Sequence, residues 1–238
     1  MHRLRSCLAG CLLVASLAQA APPQWGGSVT LASDYLLRGV SRSSNDPALS
    51  AEVHAQFGGN FFASAGVITS RYQPAADITA ELSATLGFAA ALNDNWVGRI
   101  SFTHYESPWS TFPDFYRYDE LTGELTWRDR WHVSVSYSPN TSRYAPVYGP
   151  VWSGNAYGFE TSYQQPLRPG LQAFAGVGYY DLSDLFGDGY WYGSFGVSLT
   201  RQKWQFDVSW VMPESTAQSL SYPGTADQRL LATLTRNF

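Results

Sequence analysis

Side-chain character changes with a period of two along almost the whole chain. Residues 78–88 put Ile78, Ala80, Leu82, Ala84, Leu86 and Phe88 on one face and Thr79, Glu81, Ser83, Thr85 and Gly87 on the other. Trp131, Val133, Val135 and Tyr137 alternate in the same way with His132, Ser134, Ser136 and Ser138, and Trp204, Phe206, Val208 and Trp210 with Gln205, Asp207 and Ser209. A strand sends successive side chains to opposite faces, so the pattern describes sheet with one apolar and one polar face. The spacing predicts twelve strands, near 28–38, 48–57, 61–70, 78–91, 96–106, 118–128, 131–138, 156–166, 171–180, 190–200, 204–212 and 228–238. Segments of about ten residues suit tilted membrane-spanning strands, and an even count leaves both termini on one side.

The connections alternate in length. Gly58-Gly59-Asn60, Asn93-Asp94-Asn95, Asp129-Arg130, Arg168-Pro169-Gly170 and Arg201-Gln202-Lys203 are short turns with Gly, Pro or polar chemistry, and longer loops near 39–47, 71–77, 107–117, 139–155, 181–189 and 213–227 lie between them. Outer-membrane barrels have short periplasmic turns and long external loops. The expectation is therefore an all-β, transmembrane, antiparallel up-and-down β-barrel with periplasmic N- and C-termini. Phe61, Trp96, Trp131 and Trp204 each directly follow a short turn and form a candidate aromatic girdle at one rim. Tyr35, Tyr105, Tyr179 and Trp210 are expected in the second girdle. The last strand stops on a free C-terminal Phe238, as the final strand of a bacterial outer-membrane barrel does. Arg236 shares its outward face with Leu234 and Phe238, a departure whose cost is small at the interface. A secreted soluble sandwich or barrel would share the period, but not the rim aromatics, the alternating loops or the terminal phenylalanine.

Residues 1–20 read as a secretory signal: Arg3 and Arg5, an apolar stretch from Leu8 to Leu17, then Ala18-Gln19-Ala20. Leu8-Ala9-Gly10-Cys11 spells a lipoprotein cleavage box, but no apolar core precedes that cysteine. Cys7 and Cys11 leave with the signal, so the mature chain, 21–238, has neither a disulfide nor a thiolate metal site. Loss of Arg3 and Arg5 takes the formal net charge from −4 to −6, and Lys203 is the only lysine, which excludes a basic nucleic-acid surface. The mature chain holds no apolar run near the roughly 20 residues that a spanning helix needs. No linker or compositional shift divides it.

Ser33-Asp34-Tyr35-Leu36-Leu37-Arg38-Gly39-Val40-Ser41-Arg42-Ser43 resembles the SDYxxRGxSxS opening of the proteobacterial TorF-like porin family. Pro47-Ala48-Leu49, Tyr137-Ser138-Pro139, Tyr163-Gln164-Gln165-Pro166-Leu167 and Thr235-Arg236-Asn237-Phe238 continue the likeness, whereas the third strand, Asn60 to Ser70, lacks the tryptophan usual there. The resemblance implies an outer-membrane barrel acting as a pore, a final strand read by the barrel-assembly machinery, and neither a defined substrate nor catalytic residues. On the residues alone, Asp34 and Arg38 share an inward face near the outer rim, either stapling strand one to its neighbours or touching solute. Gly39 can take a positive φ and turn the chain into the first loop.

With the apolar face toward lipid, the candidate lumen residues are Asp34, Arg38, Glu52, His54, Glu81, Arg99, Glu124, Arg128, His132, Glu160 and Asp207, with Arg229 beside them. Unpaired burial of such charges costs several kcal/mol each, so they pair or meet water. Either a polar network plugs the barrel, or charged rows line a narrow aqueous path. Gly87, Ser101, Ser134, Ser136, Gly176, Gly178, Gly196 and Ser198 leave room, while Phe174, Tyr180, Tyr190 and Tyr192 narrow it. The reading favoured is a constricted pore for small polar or charged solutes, with outer-membrane lipid as its surroundings and no cofactor, metal or nucleic acid. A non-conducting structural or adhesive barrel is the alternative. Less favoured is a lipid hydrolase built on His132-x-Ser134 with Glu124 or Glu160 orienting the imidazole.

Overall fold

The computed structural model describes residues 23–72, 76–110, 116–143 and 152–238. The expected signal segment, 1–20, lies outside the described residues. Twelve strands close into one antiparallel barrel: β1 (Gln24–Ala32), β4 (Ala48–Phe57), β5 (Phe61–Ser70), β6 (Thr79–Asn93), β7 (Trp96–Glu106), β8 (Tyr118–Trp127), β9 (Trp131–Arg143), β10 (Trp152–Arg168), β11 (Leu171–Asp181), β12 (Gly189–Arg201), β13 (Trp204–Pro213) and β14 (Arg229–Asn237). Two short strands, β2 (Leu36–Leu37) and β3 (Val40–Ser41), stand apart as a separate hairpin. Helices α1 (Ser183–Phe186) and α2 (Ser215–Leu220) sit in two of the long loops.

Each strand pairs with its sequence neighbour, and β1 closes the barrel against β14, with Ser28 opposite Asn237 and Ala32 opposite Thr233. The seam ends on Phe238, whose backbone exchanges hydrogen bonds with Gly27 in both directions. Closure removes every free sheet edge, the condition for spanning a bilayer with strands. The start of β1 and the end of β14 lie at the short-turn end, since Gln24 pairs with Gln56 beside the 58–60 turn and the Asn237 amide donates to the Lys203 carbonyl.

The apolar face points outward. Val29, Leu31, Leu49, Val53, Leu86, Ile100, Phe102, Leu121, Val133, Phe159, Phe195, Phe206 and Leu230 are all solvent-exposed in the isolated chain. An apolar surface continuing around the barrel far exceeds the few hundred Å² that soluble monomers tolerate, so it calls for lipid. At the short-turn rim, Phe61 meets Phe88 edge-on at 5.2 Å and Trp131 packs on Tyr163 at 4.8 Å. Trp127 pairs with both Trp96 and Trp131, joining the girdle between them. Arg236 lays its guanidinium over the Trp204 ring at 5.2 Å, so its charge is held at this rim by an aromatic neighbour.

The first strand is shorter than the alternation suggests. It ends at Ala32 rather than at residue 38, and residues 33–43 turn inward. The cause is Asp34, 4% exposed, whose Oδ1 accepts the hydroxyls of Ser41 and Ser43 at 2.6 and 2.7 Å and whose Oδ2 accepts Arg229 Nη1 at 2.6 Å. These bonds draw the motif into a knot that an extended strand could not form. Between β2 and β3, Arg38 and Gly39 both have positive φ, 52° and 81°, as a tight two-residue hairpin turn demands. Two girdle assignments change with it. Tyr35 lies within the barrel, donating to Glu81 Oε1 at 2.6 Å, and Tyr105 faces inward, stacked on Tyr118 at 4.6 Å. Tyr105 stands opposite Ser83, on the inward row, because Phe102 on the same strand points out. Tyr179 does point outward at the long-loop rim, packed on Trp191 at 5.0 Å.

Candidate functional site in the barrel lumen

The lumen divides into two halves of different character. In the half nearer the long loops, the β2–β3 hairpin crosses the bore and is fixed by ion pairs. Arg38 Nη2 donates to Glu120 Oε2 at 2.5 Å and to Ser136 Oγ at 2.8 Å, and its guanidinium lies over the Tyr180 ring at 4.4 Å. Arg42 Nη1 donates to Glu81 Oε2 at 2.6 Å beneath the Tyr118 ring. Glu81 is 2% exposed and Arg38 8%. Gly158 makes room for Arg38, since a Cβ there would stand 3.2 Å from its guanidinium nitrogens.

Glu81 is the hub. Besides Arg42 it accepts Tyr35 and the Tyr72 hydroxyl, the latter at 2.9 Å. Burial, followed by the Glu81 carboxylate, pushes Tyr72 up to about 12 and Tyr35 well above the ordinary tyrosine value, so both phenols remain donors. A small apolar cluster backs the knot at the long-loop end: Ala156, Tyr180, Leu182, Leu185, Tyr190, Ala217 and Ala226, with Val40 of the hairpin packed against it. Between hairpin and loops lies a cavity of about 720 Å³, walled by Tyr72, Tyr118, Tyr180, Tyr190 and Tyr222.

The half nearer the short turns is wetter. Glu52 and His54 are each 51% exposed and 3.5 Å apart. Arg99 and Glu124 are 47% and 42% exposed at the same separation, with Arg99 also over the Phe62 ring at 4.0 Å. Asp207 accepts Gln205 and Thr233, each at 3.0 Å. Glu160 accepts the Tyr192 hydroxyl. A cavity of about 330 Å³ opens between Glu124, His132, Ser134, Glu160 and Tyr192.

Of the candidate lumen residues, Asp34, Arg38, Glu52, His54, Glu81, Arg99, Glu124, His132, Glu160 and Asp207 point inward. Arg128 does not. It occupies a short turn with φ of 50°, donates Nε to Asn95 Oδ1 at 2.7 Å and covers Trp127, because the strand ends one residue before it. Asp34 and Arg38 do not pair with each other; Arg229 takes the first and Glu120 the second. Glu120 and Arg42 went unread in the sequence. Glu120 shares the inward parity of Glu124 and was legible, whereas Arg42 lies off any strand and was not. A polar group on the outward face was also unread: His104 Nδ1 meets Asp119 Oδ1 at 2.7 Å, and Asn140 donates to Asp119 Oδ2 at 2.8 Å.

His132 and Ser134 line the same cavity, but His132 Nδ1 is bonded to Thr126 Oγ1 at 3.1 Å and its buried Nε2 has no partner. Neither nitrogen engages Ser134, so no nucleophile–base contact is formed. Among the described residues no group of His, Cys, Asp and Glu is placed to hold a metal ion.

Solved structures with this barrel include the NanC porin, at TM-score 0.57, 9% identity and coverage of 89% of this chain and 97% of that one. The KdgM porin follows at 0.54 and 9%, covering 90% and 98%. LpxR from Salmonella typhimurium has the same architecture at 0.52 and 9%, covering 90% and 99%, so the likeness speaks for fold and not for activity. No curated protein sequence matches the chain significantly. A family model does, over residues 17–238; the TorF-like name and its opening motif have no counterpart in the match. The chain belongs to the Gcw_chp family, described as bacterial proteins of unknown function.

Proposed function

We propose that the chain is an integral outer-membrane barrel, its termini in the periplasm, that conducts small polar or charged solutes through a lumen constricted by the β2–β3 hairpin. The observation that carries this reading is the contrast along the bore. Charged side chains in the short-turn half stand about half exposed, while among the described residues the bore is crossed by a hairpin held by a few side-chain bonds and a backbone bond from Ser41 to Thr225. The network and the aqueous row, alternatives in the sequence, divide the lumen between them. Twelve strands lie between about eight, which side chains fill, and the 16–18 of open channels. The apolar outward belt and the likeness to porins support the membrane setting.

Planar-bilayer recording tests it. Wild-type protein is expected to give small or infrequent steps, and Arg38→Ala, which frees the hairpin from Glu120 and Ser136, larger and more frequent ones. Absence of conductance above the detergent control in both proteins would establish the non-conducting barrel instead.

A further inference from the structure

The hairpin's hold on the barrel wall has the form of ligand recognition. Glu120 supplies a carboxylate, Ser136 a hydroxyl and Tyr180 a ring face, all contributed by wall strands and all directed at one guanidinium. Both bonds leave Nη2 and the buried Nε has no partner, so recognition rests on the charge-assisted bonds at one nitrogen and on the stacking of the flat cation over Tyr180, which a compact ammonium does not reproduce. The group is 92% withdrawn from solvent, as its 8% exposure states. It borders the 720 Å³ cavity on the long-loop side, from which a solute would arrive. Arg38 reaches this place at the tip of a two-residue turn.

We infer that the outer lumen is a receptor site for organic cations bearing a guanidinium group, occupied in the resting barrel by the protein's own Arg38. A solute of this class competes for Glu120, Ser136 and Tyr180, frees the Arg38 tip of the hairpin from the wall while Arg42 and Ser41 keep their own bonds, and meets next the carboxylates of Glu124 and Glu160 in the wetter half. The inference rests on the channel reading for the onward route, but not for the binding site itself. Because Arg38 is tethered, it competes at an effective concentration of the order of millimolar, so the wild-type site is visible only to concentrated ligand.

The test vacates the site and refills it. Folded Arg38→Ala barrel in detergent is titrated with ethylguanidinium by isothermal calorimetry, with ethylammonium as the comparison. Saturable binding is expected, about tenfold tighter for the guanidinium than for the ammonium, and its loss in the Arg38→Ala/Glu120→Gln double variant. In bilayers the same cation should reduce the conductance of Arg38→Ala. Arg38→Gln, which retains a donor for Ser136, repeats the titration if the alanine variant does not fold. Absence of saturable heat, equal affinity for the two cations, or binding that survives loss of the Glu120 charge would overturn the inference. Silence of both wild type and Arg38→Ala in bilayers defeats the channel reading alone, and the calorimetry still decides this one.

Discussion

Glu81 ties three separate segments of the molecule to one carboxylate. Its two oxygens take Arg42, Tyr35 and Tyr72, joining the inward-turned motif, the loop after β5 and the wall of β6. Neutralising it leaves the Arg42 guanidinium with its desolvation unrelieved. Glu81→Gln is therefore expected to cost about 3 kcal/mol in urea unfolding of the vesicle-inserted barrel, a value in the range for breaking a buried pair from one side. Glu52→Gln, half exposed, should cost well under 1 kcal/mol on the same measurement. A Glu81→Gln barrel as stable as wild type would show that water or another carboxylate serves Arg42. The direction of Glu81 was legible from its place opposite Leu82 and Leu86. Its partners were not, because they arrive on a segment that alternates like a strand but folds as a hairpin. Asp34 and Arg38 alternate with Tyr35 and Leu37 as a strand would have them; the Asp34 knot, made with Ser41, Ser43 and the distant Arg229, draws the chain inward instead of letting it extend.

At the level of elements, the strands were readable because each must present lipid on one side and the lumen on the other, and the register enforces that alternation residue by residue. What escaped lay at strand ends, where parity and position disagree. Tyr105 was assigned by position to the outer girdle, but its parity turns it inward onto Tyr118. β9 and β10 run further into the long-loop end than the sequence suggests, past a register shift between Gly154 and Ala156. The last element carries its own prediction. β14 closes the barrel along β1, the backbone bonds between Gly27 and Phe238 extend that ladder by one pair, and the Phe238 ring lies 2.7 Å from where a Cβ on Gly27 would stand. Deletion of Phe238 should lower the outer-membrane level of folded protein severalfold. Gly27→Val, which keeps the terminal residue but displaces its ring and crowds the Glu52 carbonyl, should weaken closure in the same direction. Heat-modifiable migration of the membrane fraction on gels reports both. Normal amounts of the truncated chain would remove Phe238 from the assembly signal.

Over the whole molecule, charge is distributed unevenly along the bore, and this sets the expected selectivity. In the long-loop half, Asp34, Glu81 and Glu120 are matched one for one by Arg229, Arg42 and Arg38. Such neutralised pairs contribute little field beyond their own neighbourhood. In the other half, the inward carboxylates of Glu52, Glu124, Glu160 and Asp207 face the Arg99 guanidinium. A narrow, low-dielectric passage amplifies that surplus, raising cation concentration within it and repelling anions. On the channel reading proposed above, conduction in wild type or in Arg38→Ala should therefore prefer potassium over chloride, with a reversal potential of the corresponding sign in a salt gradient. Arg99→Gln removes the opposing charge and should strengthen the preference; Glu124→Gln should weaken it. Both effects should shrink as ionic strength rises and the Debye length falls from about 10 Å at 0.1 M to about 3 Å at 1 M. Reversal potentials that ignore both substitutions would confine Arg99 and Glu124 to a structural pair and move the selectivity of the pore elsewhere along the bore.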